Sequence, residues 1–206
     1  NVTDVACPPS RAYDTTADAK AKPAEVFTPA GSLRPLRPHQ EGALDGLRQS
    51  LRSGHKRPLI QGPTGFGKTL TAAHIIQRSL DKGNRVIFTV PALSLIEQTV
   101  DAFAKEGVHG VGVLQGDHVL TDATQPVQVC SVQTLARRQK PKAALVLIDE
   151  CHKMFEHVNA WITDPAWADV PFIGLSATPC WNRLRRLEEA AIDGIPAICI
   201  DPKGDL

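Results

Sequence analysis

Residues 59–76, LIQGPTGFGKTLTAAHII, leave this chain few folds to choose from. A short apolar run meets a glycine-rich turn, and the turn passes directly into apolar residues at helical spacing. The eight residues GPTGFGKT (62–69) satisfy G-x-x-x-x-G-K-[ST] in the context that pattern requires, strand before and helix after. Successive backbone N–H groups in such a turn wrap an anion closely, and the expectation is that side chains at Gly65 and Gly67 would obstruct its approach. The positive end of the helix that starts near Lys68 adds to the attraction. The loop is therefore expected to hold a polyphosphate. Gly62, Thr64, Gly65 and Gly67 would do so through the backbone, Lys68 at the β- and γ-phosphates, and Thr69 through a hydroxyl on Mg²⁺.

A turn of this kind needs a parallel sheet around it, and the remaining sequence alternates accordingly. A helix is expected from Pro38 through Leu51, closed by Gly54. Strands are expected at RPLIQ, RVIFTV, VGVLQ, VQVCS, ALVLID and VPFIGLS, with helices over 68–82, 93–106 and 132–139. Short apolar runs separated by helical stretches predict an α/β, RecA-like P-loop domain, with a mostly parallel sheet covered by helices on both faces. The domain spans 33–180. Residues 1–32, rich in Ala, Pro, Thr and Asp without apolar period, read as a flexible lead-in. Residues 181–206 read as a helix, a stop at Gly194 and a strand, PAICI.

The 23 basic and 22 acidic residues nearly cancel, so net charge argues for no nucleic-acid partner and any basic footprint must be local. Five scattered cysteines, without a CxxC pair, argue against structural zinc and a disulfide scaffold, which makes a reducing, cytoplasmic setting the expectation. No apolar run is long enough to cross a bilayer, and no membrane association is expected.

A phosphate loop needs an acidic partner on a neighbouring strand to become a hydrolytic site. ALVLIDECH (144–152) supplies one. Leu145 to Ile148 bury the strand, and the carboxylates begin where it would leave the sheet. Asp149 there would hold Mg²⁺ through water, and Glu150 would polarise an attacking water. The alternative is a solvated strand terminus.

GPTGFGKT, DECH and LSATP (175–179), in this order and spacing, resemble motifs I, II and III of superfamily-two helicases and translocases of the DEAD/DEAH type. The resemblance covers roughly 33–180 and points to the branch that holds phage and bacterial DNA helicases and restriction-enzyme translocating subunits. It implies ATP as the nucleotide and Lys68, Asp149 and Glu150 as the catalytic group. LRPHQ (36–40) resembles the adenine-reading motif, which would put Gln40 on the adenine edge and Arg37 near the base. Ser176 and Thr178 would link the nucleotide site to the strand-binding surface, with His152 coupling the acidic pair to that turn. An ordinary Ser/Thr turn and a helix-start histidine are the plainer alternatives. Cys151 stands where many relatives have alanine.

VPALSLIEQT (90–99) resembles motif Ia and SVQTLARR (131–138) motif Ib/Ic. The resemblance implies Pro91, Gln98, Gln133, Thr134 and Arg137 as contacts to a nucleic-acid backbone, DNA ahead of RNA, without sequence specificity. Read alone, the charges of 137–142 would be a solvated helix face. Helix-start amides after a strand suit a phosphate, and nothing resembles a recognition helix or stacking platform.

The family works as two RecA-like lobes, and a second lobe does not fit after residue 180. Arg183, Arg185 and Arg186 read as a basic helix surface rather than an arginine finger. The tail also resembles the second strand region of DNA-pumping ATPases of the HerA/FtsK type, or simply one more edge strand. The sequence thus implies an ATP-dependent motor lobe acting with a second lobe. A truncated or degenerate lobe serving as a nucleotide-dependent binding module, and a packaging-type ATPase, are the competing expectations.

Overall fold

A computed structural model describes residues 33–115, 121–153, 156–177 and 197–199, with the backbone alone described for 156–157 and 197–199. The expected lead-in, Thr178 and Arg183 to Arg186 lie outside the described residues. The elements run α1 (Pro38–Arg52), β1 (Leu59–Gln61), α2 (Lys68–Leu80), β2 (Val86–Val90), α3 (Ile96–Lys105), β3 (Val111–Val113), β4 (Val127–Ser131), α4 (Val132–Arg137), β5 (Leu145–Ile148), α5 (Glu156–Ile162), β6 (Phe172–Ser176) and β7 (Ala197–Cys199). Single 3₁₀ turns occupy Leu93–Leu95 and Pro165–Trp167.

The strands form one seven-stranded sheet in the order β3-β4-β2-β5-β6-β1-β7. Every pairing in it is parallel. All strand ends that follow an apolar run therefore emerge on one edge, where a βαβ sheet binds ligands. β7 lies beside β1 with Leu59 opposite Ala197, so the strand expected at PAICI closes that side of the sheet.

Alternation along each strand divides the core in two. Ile60, Val86, Phe88, Val90, Val127, Val129, Leu145, Leu147, Ile173 and Leu175 face the cluster completed by Ala43, Leu44 and Leu47 of α1, Ala72, Ile75 and Ile76 of α2, and Phe103 of α3. Leu59, Ile87, Cys130, Val146, Ile148 and Phe172 face the other cluster, with Val132 and Leu135 of α4 and Val158 and Trp161 of α5. Burying each such aliphatic side chain contributes about 1.5–3 kcal/mol, which is why the apolar runs are strands with both faces covered.

Two expectations change. The helix expected over 93–106 begins as a 3₁₀ turn, with the Leu95 amide donating to Ala92 O at 3.2 Å, and α3 proper starts at Ile96. That turn leaves Leu93 outward, 47% exposed. The second is α5, which the sequence reading leaves out. It is short and lacks a strong period, and it exists because Val158 and Trp161 enter the second cluster, where Trp161, Trp167 and Phe172 meet edge-to-face at 5.0–6.2 Å.

Candidate active site

The loop Gly62–Thr69 connects β1 to α2 at the carboxyl edge. Its entry is pinned by the Gly62 amide donating to Ser176 O at 2.9 Å, which extends the β1–β6 pairing by one bond. Gly62 is required by its own loop, since a methyl there would lie 2.6 Å from the Phe66 ring, folded inward and buried. Gly65 and Gly67 have φ of +86° and +87°, which an L side chain adopts only at a cost of about 1–2 kcal/mol. The protein itself thus adds a second reason for these glycines to the expected one. Around Gly65 the protein leaves open space, so its demand is conformational. Behind Gly67 sits the Gln40 carboxamide, where a side chain would collide with protein.

Among the described residues, no protein acceptor takes the backbone N–H of Thr64, Gly65, Gly67, Lys68 or Thr69. The first bond into α2 is Thr71 N to Gly67 O at 3.0 Å. The loop thus presents consecutive free amides at a helix N-terminus, with Thr64 and Thr69 exposed beside them. This donor set fits an anion.

α1 braces the loop from behind. Gln40 is 2% exposed, and its Nε2 donates to Phe66 O at 2.9 Å. Its Oε1 accepts from Arg37 N at 2.8 Å. The amide that the resemblance offers to an adenine edge is thus engaged on both sides within the protein. His39 packs against Phe66 with ring centroids 5.2 Å apart and planes tilted by 50°, and Arg37 is exposed. The strap before α1 is held by Arg34, which forms a two-pronged ion pair with the buried carboxylate of Glu106.

Opposite the loop, β5 delivers the acidic pair. The Asp149 amide donates to Thr89 O at 3.0 Å and the Cys151 amide to Leu175 O at 3.0 Å, so the strand end is clamped from both neighbours. Between them Glu150 has φ +48°, the single positive φ among described non-glycine residues. Such a conformation costs on the order of 1–3 kcal/mol and persists only where its surroundings fix it. Here the Glu150 amide donates to Asp149 Oδ1 at 3.0 Å and the Lys153 amide to Glu150 O at 2.8 Å. Burial and the neighbouring Glu150 charge hold the Asp149 carboxyl above its ordinary range. The Glu150 amide, Lys68 and His152 pull it back. Lys68, 81 positions earlier in the chain (149 − 68 = 81), is thus among the charges that act on the Asp149 carboxyl. Two adjacent carboxylates, with Asp149 held above its ordinary range by burial and by the charge of Glu150, form a donor set that suits a divalent cation.

His152 joins this group to β6. Its Nδ1 shares a hydrogen bond with Ser176 Oγ at 2.9 Å and lies 3.2 Å from Glu150 Oε2. Cys151 points the other way, into the second core, where burial first and then the Asp149 and Glu150 charges push its thiol up to about 12. It fits because Gly174 opposite has no side chain; a methyl there would lie 2.8 Å from Cys151 Sγ. The sequence reading missed this pairing and the His39–Phe66 brace, since neither partner carries a signal outside the fold.

The residues expected to meet a nucleic acid also gather on the carboxyl edge, because β2 and β4 are neighbours. Pro91 is buried, and its carbonyl accepts from Gln133 Nε2 at 3.0 Å. Thr134 is turned to Ser131, whose Oγ caps α4 by accepting from Thr134 N at 3.1 Å. Gln98 and Arg137 are exposed.

The family model of the type III restriction enzyme res subunit matches residues 34–180. A 51.5 kDa protein of a Lactococcus phage (isolate 7-9) is 31% identical over 121 residues, covering 59% of this chain and 24% of that protein. Among solved structures, the UvsW helicase of bacteriophage T4 superposes with a TM-score of 0.64 at 20% identity, over 79% of this chain and 59% of that one. The Sulfolobus solfataricus SWI2/SNF2 ATPase core, solved in complex with dsDNA, gives 0.58 at 19% identity over 77% of this chain and 35% of that one. These structures share the RecA-like fold. The chain spans about a quarter or less of the length of the curated relatives it matches. No helix among the described residues is long and apolar enough to cross a membrane.

Proposed function

Because the chain belongs to the family of the type III restriction enzyme res subunit, we propose that it is the ATP-binding first motor lobe of a superfamily-two helicase or translocase, working on DNA with a second lobe. What supports the reading is topology: β1, which leads into the loop and Lys68, and β5, which ends at Asp149 and Glu150, run parallel through β6, so both open on one sheet edge beside the free loop amides.

In this reading the amides of Thr64, Gly65, Gly67, Lys68 and Thr69 and the Lys68 ammonium bind the phosphates, which lowers the cost of gathering that negative charge at one point. Thr69 and Asp149 hold Mg²⁺. Bound ATP supplies the phosphoanhydride whose cleavage drives the motor. Glu150 orients water and accepts its proton, and its left-handed backbone fixes where that carboxylate points. Gln40 acts from behind the loop, keeping Gly67 in place, and its amide reaches an adenine edge only by exchanging a bond to Arg37 or Phe66. Arg37, exposed at the head of α1, stands ready near the base.

His152 and Ser176, with Thr178 beyond the described residues, form the link from the hydrolytic pair to the strand surface. Gln133, held on Pro91 O, ties the two nucleic-acid motifs together, so Gln98, Thr134 and Arg137 would move as one contact surface. The second lobe would supply an arginine, worth about 10³–10⁵ in rate in related motors, so turnover by this chain alone is slow.

The test is release of phosphate from ATP by this chain, with and without single-stranded DNA, in the native protein, Lys68→Ala and Glu150→Gln. Turnover that DNA raises and both changes abolish supports the motor. Turnover indifferent to Lys68→Ala would mean the site lies elsewhere.

A further inference from the structure

The edge of the sheet opposite the loop carries a second feature. Between the last turns of α1 and α2 lies a cavity of about 480 Å³, floored by Leu44, Leu47, Leu51, Ile75, Leu145 and Ile173. It opens where β5 and β6 begin, so the four-residue length of β5, roughly 13 Å at strand rise, separates it from the acidic pair. Its volume is in the range of binding clefts.

The mouth is cationic. Arg48, Arg52, Arg78 and Lys82 line it, and no carboxylate does. Arg48 is paired with Asp45. Arg52, Arg78 and Lys82 have no side-chain hydrogen bond or ion pair among the described residues. Two helix C-termini also end here, and their dipoles sum to roughly one negative charge. Three unpaired cations exceed that, so the rim remains positive over an aliphatic floor.

A ligand for such a place must bring both apolar bulk and negative charge. Nucleic acid brings the charge, but its phosphate backbone carries no aliphatic side chain to fill a floor of leucine and isoleucine. Leucine-like side chains flanked by carboxylates match both halves.

We propose that this cavity docks an acidic amphipathic protein segment, with its apolar side chains between α1 and α2 and its carboxylates on Arg52, Arg78 and Lys82. The site is independent of the nucleotide reading, since it shares no residue with the phosphate loop or β5–β6 strand ends at the other edge. Nucleotide and segment would bind together.

The probe is a fluorescein-labelled helical peptide of Leu, Ala and Glu with Leu along one face, titrated with this chain and followed by fluorescence anisotropy. Saturable binding is expected, unaffected by saturating ATP. Arg52→Glu with Arg78→Glu should weaken it about tenfold or more while far-UV circular dichroism is unchanged. Should that double variant misfold, Lys82→Glu alone, on an exposed turn, should still weaken it measurably. Absence of saturable binding overturns the proposal. So does equal binding of a scrambled peptide without an apolar face, or displacement of the peptide by single-stranded DNA through the same three cations.

Discussion

Gly174→Ala tests whether β6 and the acidic turn are packed as one unit. Added at Gly174, a methyl group would lie 2.8 Å from Cys151 Sγ, 3.1 Å from Leu59 Cδ1 and 3.3 Å from Cys151 Cβ. The Leu59 tip can rotate away. Cys151 cannot, because its amide is bonded to Leu175 O and its thiol is buried. Overpacking of this kind costs about 1–3 kcal/mol. Replacing glycine also stiffens the unfolded chain, which returns about 0.4–1 kcal/mol. The net expectation is a loss of about 1–2 kcal/mol. Cys151→Ala removes the atom in the way, so Gly174→Ala should cost less in that background, with a coupling of at least about 0.5 kcal/mol. Urea unfolding followed by circular dichroism on the four proteins measures the cycle. Hydrolysis well below the unfolding midpoint should fall in Gly174→Ala and recover in the double variant, because Cys151 moves with Glu150. Strict additivity, or a Gly174→Ala protein as stable as the parent, refutes the reasoning.

Lys68→Ala should weaken nucleotide binding about tenfold or more in a fluorescent-nucleotide titration, since it removes the ammonium at the head of α2 beside the free amides. Glu150→Gln should bind nucleotide as before and lose about 10²–10⁴ in single-turnover hydrolysis. Gly67→Ala should unseat Gln40 and lower both nucleotide affinity and thermal stability; an unchanged melting point would show that the Gln40 brace carries no load. Cys151, with its thiol pushed up to about 12 by burial, and Cys130, buried and raised by the same cause, should resist iodoacetamide at neutral pH until urea unfolds the protein, as peptide mass spectrometry would show.

What could be read in the sequence was what repeats or has a fixed spacing. The apolar runs from Leu59 to Leu175 gave the strands because a sheet covered on both faces needs continuous hydrophobic residues, and GPTGFGKT and DECH gave the loop and its acidic partner. Their meeting required only that β1 and β5 be parallel. α5 escaped because its seven residues are helical for a tertiary reason, the seating of Trp161 against Trp167 and Phe172. The 3₁₀ start of motif Ia escaped because periodicity does not tell an i→i+3 turn from the first turn of an α-helix.

The glycines of the phosphate loop show where such reading stops. From sequence, Gly65 and Gly67 look like two instances of one need, a bare backbone for a phosphate. In the fold their needs divide. Gly65 faces open space, so what the protein itself asks of it is the left-handed backbone. Gly67 carries a similar φ and also backs onto Gln40, a residue 27 positions earlier whose amide spans Arg37 and Phe66. The spacing between LRPHQ and GPTGFGKT contains no hint of that contact, because the chain between them runs the length of α1 and back through β1. A motif therefore identifies the surface a ligand sees, while the opposite side of the same residues is set by whatever the topology brings behind them. For this chain that is α1, so substitutions on its first turn should alter nucleotide affinity through the loop's shape as well as through any contact with the base.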